Sequence, residues 1–393
     1  MNMIKKTKFL ENELAQIDAK GLMRGLRPFS SNGGKFIHEG NEIINLSSND
    51  YLNLSFNSFV KKGSRQALEK HGCGATASRL VSGHLKIHEE LEYSLAVLCG
   101  NEACLVFGSG FLANIGVLNV LAGRSDEIYA DKINHASLID GVLLSGARCF
   151  RYKHKDMGHL EMLLEKSKTN GRKIIVSDSI FSMDGDIAPI RNLVSLAEKY
   201  EALLIIDEAH AVGVFGRGGG ICKELGVESQ PDIILGTLSK AFGGYGGFAV
   251  CSSIMRKYLI NKARSFIYST GLPPACIGSA TAAIQLINET KNMGEILLSK
   301  AKKLHSYLCK TGFKMGKFES QILPLYVGDN SKAVEFSKIL FDKYNVLAVA
   351  IRPPTVPVGT ARLRLSVSLA HSDNDLKIVA EKIKECAKGL GII

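Results

Sequence analysis

The chain has 393 residues, 46% hydrophobic and 22% charged, enough for roughly two to three domains around a well-buried core. Its net charge of +11 suits anionic partners, but the lysines are scattered and form no basic stripe interleaved with aromatics, which speaks against nucleic acid and for small anionic substrates such as phosphates and acyl thioesters. Nine cysteines without a CxxC pair or metal-ligand spacing read as reduced, mostly buried thiols of a cytoplasmic protein.

The first 25 residues carry acids and no apolar stretch, so no signal peptide is expected. Phe9 to Leu26 reads as a helix with Leu10, Leu14, Ile17 and Leu22 near one face. Pro28 and Gly33-Gly34 end it and set off an N-terminal arm, residues 1–45. From residue 46 short apolar runs alternate with helical patterns. The runs "ACLVF" (103–107), "EIYA" (127–130), "KIIVSD" (173–178), "LLIID" (203–207), "DIILG" (232–236) and "GFAVCS" (247–252) read as buried strands. Helices are expected at 84–98, 111–121, 158–167 and 190–200. The uncharged stretch 103–123 is long enough to span a bilayer, yet its Ser109, Asn114, Asn119 and four glycines fit a strand, a turn and a helix better. Such alternation predicts an α/β fold with a mostly parallel sheet over residues 46–285. After a helical stretch near 275–310 the pattern changes. Strands at 323–328, 345–351 and 361–368 interleave with helices 331–344 and 373–389, a smaller α+β domain over residues 286–393.

Ligands of an open α/β sheet gather beyond the carboxyl ends of its strands. Ser182, Asp207, His210 and Lys240 all follow strand runs there. The turn "GSGFLAN" (108–114) opens a helix, so its backbone N–H groups can hold a phosphate. It also matches a loose dinucleotide fingerprint with Asp126 or Asp131 as the ribose acid, a rival reading that rests on one weak motif. A phosphate turn, an acid and a lysine suggest pyridoxal phosphate, which needs an amine for its aldehyde and an acid for its ring nitrogen. Each residue also has a plainer reading: Lys240 as a solvated lysine, Asp207 as a helix cap. His135 follows "EIYAD", and no second histidine stands at ligand spacing, so no metal is expected.

The stretches "SSNDYL" (47–52), "GSGFLAN" (108–114), "NHASLIDG" (134–141), "FSMDGDIAP" (181–189), "DEAHAVGVFGRGG" (207–219), "GTLSKAFGGYGG" (236–247) and "IYSTGLPP" (267–274) together resemble the α-oxoamine synthases, fold-type I enzymes that use pyridoxal 5'-phosphate. The resemblance implies the transferase fold of that class, with a large domain, a small C-terminal domain and an N-terminal arm. It makes Lys240 the Schiff-base lysine, Asp207 the partner of the ring nitrogen and His135 the ring stacked on the cofactor. His210 and Ser182 match residues near the phenolic oxygen, and Gly110, Phe111 and Thr237 match phosphate contacts. Thr270 matches a phosphate contact from a second subunit, which implies a homodimer with its site at the interface.

The C-terminal stretches "LPLYVGDNSKA" and "AIRPPTVPVGTARLRLSVSLAH" resemble the branch that makes 8-amino-7-oxononanoate for biotin. For that branch the resemblance implies decarboxylative condensation of L-alanine with a pimeloyl thioester, on CoA or acyl carrier protein. Arg352 would hold the amino-acid carboxylate, with Thr355 and Asn49 beside it, and Arg24 would meet the pimeloyl carboxylate. Lys240 would take the α-proton. The segment 73–92, with Thr76-Ala77-Ser78-Arg79 and His84, departs from the glycine- and serine-rich pattern of the family. The alternatives are a sister synthase that joins glycine to acetyl-CoA, and a non-catalytic protein of the same fold. Neither nucleic acid nor a membrane is an expected partner.

Overall fold

The computed structural model describes residues 3–32 and 35–393; the Gly33-Gly34 stop lies outside them. Seven strands form the central sheet: β4 (Ala103–Phe107), β5 (Glu127–Asp131), β6 (Arg148–Tyr152), β7 (Lys173–Asp178), β8 (Ala202–Asp207), β9 (Ile233–Thr237) and β10 (Gly247–Cys251). Their order is β4-β10-β9-β8-β7-β5-β6, and β10 alone runs against its neighbours. The carboxyl ends of the six parallel strands therefore share one edge, and the loops that leave it converge there.

Alternation along the strands divides the core between the two faces. Leu105, Ile128, Ile174, Ile205, Leu235 and Ala249 face one way, under helices Gly110–Leu121 and Ala136–Ser145. Val106, Tyr129, Ile175, Ile206, Ile234 and Phe248 face the other, under helices Lys86–Cys99, Ile190–Lys199 and Pro274–Thr290. The uncharged stretch 103–123 is thus split between β4 and helix Gly110–Leu121. Among the described residues no helix is long and apolar enough to cross a membrane. Strand β6 escapes the sequence pattern because "RCFRY" puts Arg148 and Arg151 on an exposed edge.

The C-terminal part carries an antiparallel sheet of β11 (Ile322–Gly328), β14 (Ala361–Ser366) and β13 (Val349–Ile351), in that order. Its apolar residues Leu325, Phe336, Leu363 and Val379 belong to the same buried cluster as one face of the large sheet. The expected boundary at residue 286 falls inside helix Pro274–Thr290, and the chain turns at Lys291–Asn292 before helix Met293–Lys310. The run "NVLAVAI" is not one strand. Its first half, β12 (Val346–Leu347), pairs in parallel with β3 (Asn41–Asn45) of the arm, and its second half, β13, pairs with β14. With β1 (Ser30–Asn32) and β2 (Lys35–His38), β3 completes a four-stranded sheet that docks the arm on the C-terminal part. The arm's helix spans Met3–Ala19, so Leu22 lies beyond it, and Phe9, Leu10, Leu14 and Ile17 are exposed. Of the cysteines, Cys99, Cys104, Cys222, Cys251 and Cys386 are buried as expected of most, whereas Cys73, Cys149 and Cys309 reach the surface.

Candidate active site

At the shared strand edge lies a cavity of about 220 Å³, lined by Gly110, Phe111, His135, Asp178, Asp207, His210, Thr237 and Lys240 among others. Seven of these eight are residues singled out in the sequence. Each is delivered by a strand end: the turn after β4 gives Gly110 and Phe111, β8 ends at Asp207, and the turn after β9 gives Lys240. His135 ends the turn after β5 and caps helix Ala136–Ser145, its ring accepting from the Ser137 N–H.

Lys240 Nζ stands 2.9 Å from His210 Nε2, and His210 Nδ1 stands 2.7 Å from the Tyr51 hydroxyl. The Gln321 side-chain amide donates to the His210 carbonyl at 2.8 Å. Burial lowers the Lys240 pKa to about 8, against the pull of Asp207 and Asp178. Burial also drives His210 well below the usual histidine range, helped by the charges of Lys240 and Arg364. The ring is therefore neutral and can accept from the lysine. His135 is lowered as well, again by burial.

Asp207 accepts from Asn114 Nδ2 at 2.7 Å and from the Ala209 N–H at 2.8 Å. Asn114 also donates to Ser137 Oγ, which lies 2.7 Å from His135 Nδ1. Beside Asp207 in the sheet register sits Asp178, which burial and the Asp207 charge raise far above the carboxylate range. Two buried carboxyls thus stand side by side, and the cost of charging both falls on Asp178. Asp178 in turn accepts from the His135 N–H at 2.8 Å, which fixes the histidine's backbone.

The glycine turn fits between two strands. Ser109 caps helix Gly110–Leu121 by accepting from the Leu112 N–H, and the first N–H groups of a helix have no partner within it. Thr237 Oγ1 donates to the Gly246 carbonyl at 2.9 Å and accepts from the Ser239 N–H. A side chain at Gly247 would meet the Ser109 carbonyl carbon at 2.3 Å and the Gly110 nitrogen at 2.4 Å, so the turn can pack here only over glycine. An amine at Lys240, a carboxylate at Asp207 and a helix N-terminus across one cavity are the donor set that pyridoxal phosphate requires. The rival acids are engaged elsewhere: Asp126 with Arg172 and the Gly123 N–H, Asp131 with His154.

The remaining sequence candidates do not line the cavity. The Ser182 carbonyl accepts from Arg364 Nε at 2.5 Å. Asn49 lies one step out, its Oδ1 3.2 Å from both the Tyr51 hydroxyl and Arg364 Nη2. Arg352 donates to the Met23 carbonyl of the arm, next to Arg24, and the exposed Thr355 bonds back to Arg352. Thr270 forms a bridge with Ser78 and borders a separate small cavity beside Arg79 and His88.

The sequence analysis did not assign Asp178, which lines the cavity, nor Tyr51 and Asn114, which bond to its lining residues His210 and Asp207, nor Arg364, which bonds to Tyr51. Arg364 is 7% exposed, which for an arginine demands multiple partners. They are Ser182, Ser366, Asn49 and Tyr51. Its signal in the sequence is the pair of arginines at alternate positions of an otherwise apolar strand, "ARLRLS". Asp178 ends its run as Asp207 ends the neighbouring one, which is the same signal.

The family profile described as aminotransferase class I and II matches residues 41–383. The chain is 42% identical over 391 residues to an 8-amino-7-oxononanoate synthase of Geobacter sulfurreducens, spanning 98% of this chain and 100% of that protein. A serine palmitoyltransferase from S. paucimobilis, solved with pyridoxal phosphate and myriocin bound, superposes with a TM-score of 0.92 at 29% identity and covers both chains completely. An 8-amino-7-oxononanoate synthase from Francisella tularensis superposes with a TM-score of 0.76 at 26% identity, over 88% of this chain and 98% of that one.

Proposed function

Since the chain belongs to the class I and II aminotransferase family, among its pyridoxal-phosphate-dependent 8-amino-7-oxononanoate synthases, we propose that it joins L-alanine to a pimeloyl thioester in biotin synthesis. The carbon–carbon bond forms between the alanine α-carbon and the thioester carbonyl. The thiol of CoA or acyl carrier protein and carbon dioxide leave, and 8-amino-7-oxononanoate remains. The observation that carries this reading is the convergence of Lys240, His210, Asp207 and the glycine turn on one cavity in a chain of full-length likeness to such synthases.

Pyridoxal phosphate supplies an aldehyde for amines and a cationic ring that makes the amino acid's α-proton acidic. Lys240 would hold the aldehyde end, Asp207 the ring nitrogen, and Gly110, Phe111 and Thr237 the phosphate. Lys240 Nζ takes the α-proton. Its pKa, lowered to about 8, leaves roughly a tenth of the amine neutral at pH 7 and more as pH rises, far above an ordinary lysine and as a general base needs. His210, kept neutral by burial, accepts from the lysine and orients it.

For the carboxylate of alanine the geometry favours Arg364 over Arg352. Arg364 is buried, braced by Asn49 and Tyr51, and close enough to Lys240 to depress its pKa. Arg352 is turned toward the arm, where with Arg24 it suits the distal carboxylate of the acyl chain. Ser182 serves through its backbone, and Thr355 through its hold on the Arg352 loop. We assign the protein to the cytoplasm as a homodimer in which Thr270 reaches the partner's phosphate; the exposed apolar face of the arm helix supports a subunit contact.

The test is thiol release from pimeloyl, acetyl and palmitoyl thioesters with alanine, glycine and serine. Release with alanine and pimeloyl thioester alone is expected. Turnover with glycine and acetyl-CoA, or with serine and palmitoyl-CoA as the serine palmitoyltransferase likeness would suggest, overturns the substrate choice. Protein that binds no pyridoxal phosphate overturns the whole reading.

A further inference from the structure

His154 lies outside the cavity, in the turn that follows edge strand β6. Its Nδ1 is 3.1 Å from Asp131 Oδ1, and its Nε2 is 2.8 Å from Asp186 Oδ2. An imidazole can donate to two carboxylates at once only in its charged form. Burial opposes that charge, but the hydrogen bonds to Asp131 and Asp186 outweigh it and hold the pKa at about 9. The other charged groups around it are Lys155, which reaches Asp186 at 3.0 Å and Glu319 at 3.7 Å, and Glu319 itself, which accepts from the Ile187 N–H. The Phe181 ring stands edge-on to the imidazole at 4.4 Å.

Asp186 belongs to loop 179–188, which joins the large sheet to the C-terminal part. At its start the Ser179 N–H donates to the Asp207 carbonyl at 2.8 Å. Further along, Ser182 accepts from Arg364, Asp184 binds Arg362 and Tyr326, and the Gly185 carbonyl accepts from Ser320. Gly185 has φ +69°, and a side chain there would sit 2.1 Å from the Ile322 carbonyl oxygen, so the loop lies against β11 with no slack. Asp131 ends β5, so His154 ties the middle of this loop to a strand of the sheet, beside the Ser179 bond to Asp207 at its start and Lys155, whose N–H donates to Asp131 at 2.9 Å and whose Nζ reaches Asp186.

We propose that His154 is a positioning residue, which by clamping Asp186 to Asp131 holds loop 179–188 in register with β14 and so aims Arg364 at the amino-acid carboxylate. The role of Arg364 rests on the functional reading above; the clamp does not. An arginine held by the Ser182 carbonyl follows any shift of that loop, and small misplacements of a binding group weaken it steeply.

The experiment compares wild type, His154→Gln and His154→Arg, all loaded with pyridoxal phosphate. Alanine binding is followed by cofactor absorbance, steady-state constants by thiol release, and the His154 ring by NMR titration. In His154→Gln the alanine dissociation constant and KM should rise about tenfold, with KM for the thioester and kcat within about twofold. His154→Arg, which keeps a cation between the two carboxylates, should restore most of the loss. The wild-type ring should stay charged past pH 8. Unchanged alanine affinity in His154→Gln, or equal loss in His154→Arg, or a ring that titrates near the free histidine value, overturns the proposal. Should His154→Gln fail to fold, Asp186→Asn cuts the same tie and carries the same expectation. Alanine binding and the ring titration need no turnover, so a wild type inactive on pimeloyl thioester would sink the functional reading and leave the clamp standing.

Discussion

The cofactor side of the cavity hangs on neighbouring strand ends of one sheet, whereas the amino-acid side is assembled across the chain, Arg364 meeting Asn49 over 315 positions. On the first side, Asp178, Asp207 and Lys240 follow strands whose register is set by ladder hydrogen bonds. On the second, residues 46–51 run beside the end of β14, tied by Ser366 to Leu46 and by Leu369 to Tyr51. On the proposed reading, chemistry is built into the sheet half, and recognition of the amino acid depends on how two parts of the chain dock. Substitutions on the sheet side should strike kcat, and those on the docked side should strike KM for alanine.

The largest effect is expected from Lys240→Ala. Loss of the proposed base and covalent anchor should cut turnover about a thousandfold or more, while the core, which Lys240 does not brace, stays folded. Thiol release and the thermal midpoint check both halves of that statement. In the wild type, kcat should climb as pH rises through about 8, because the lowered pKa of Lys240 marks where the neutral amine takes over from the ammonium. A flat profile across pH 7 to 9 would assign the proton transfer to another group.

Next in size is the pair Arg364→Gln and Arg352→Gln, which breaks the docked side at two places. Removing the buried guanidinium should lower kcat/KM for alanine about a hundredfold, chiefly through KM, since a desolvated charge pair is lost. Arg352→Gln should change the alanine KM by less than about threefold and act on the thioester instead. The reverse order of effects would return the carboxylate contact to Arg352.

The same division governs what could be read from the sequence. Asp207 and Lys240 are legible because an apolar run bounds each strand and marks its end. Asp178 carries the same mark and needed only the strand order to join them. Arg364 shows in the sequence only as one of two arginines alternating in an apolar strand, and what marks it out, the partners that make its burial tolerable, comes from residues 49, 51, 182 and 366. The split of "NVLAVAI" between two sheets is set by the arm strand β3, a contact with no local trace. Arg24 and Thr355 lie on the arm and on an exposed loop, and nothing near them in the chain says what they face.

The smallest effect tests whether the docked side is sensitive to its local chemistry or only to its interface. Ser372 caps helix Asp373–Gly389 in a reciprocal box with Asp375: Ser372 Oγ accepts from the Asp375 N–H, and Asp375 accepts from the Ser372 N–H at 2.8 Å. Ser372→Ala leaves one of these donors to water and should cost about 1 kcal/mol. Spread over a chain of this length, that lowers the thermal midpoint by only about 1 °C. The cap's side-chain bonds run between Ser372 and Asp375, none of them to loop 179–188, and the helix keeps its buried face of Leu376, Val379 and Ile383. Alanine KM should therefore not move. A KM that rose with so small a loss of stability would mean that Arg364 is positioned by the whole C-terminal fold rather than by the contacts of β14.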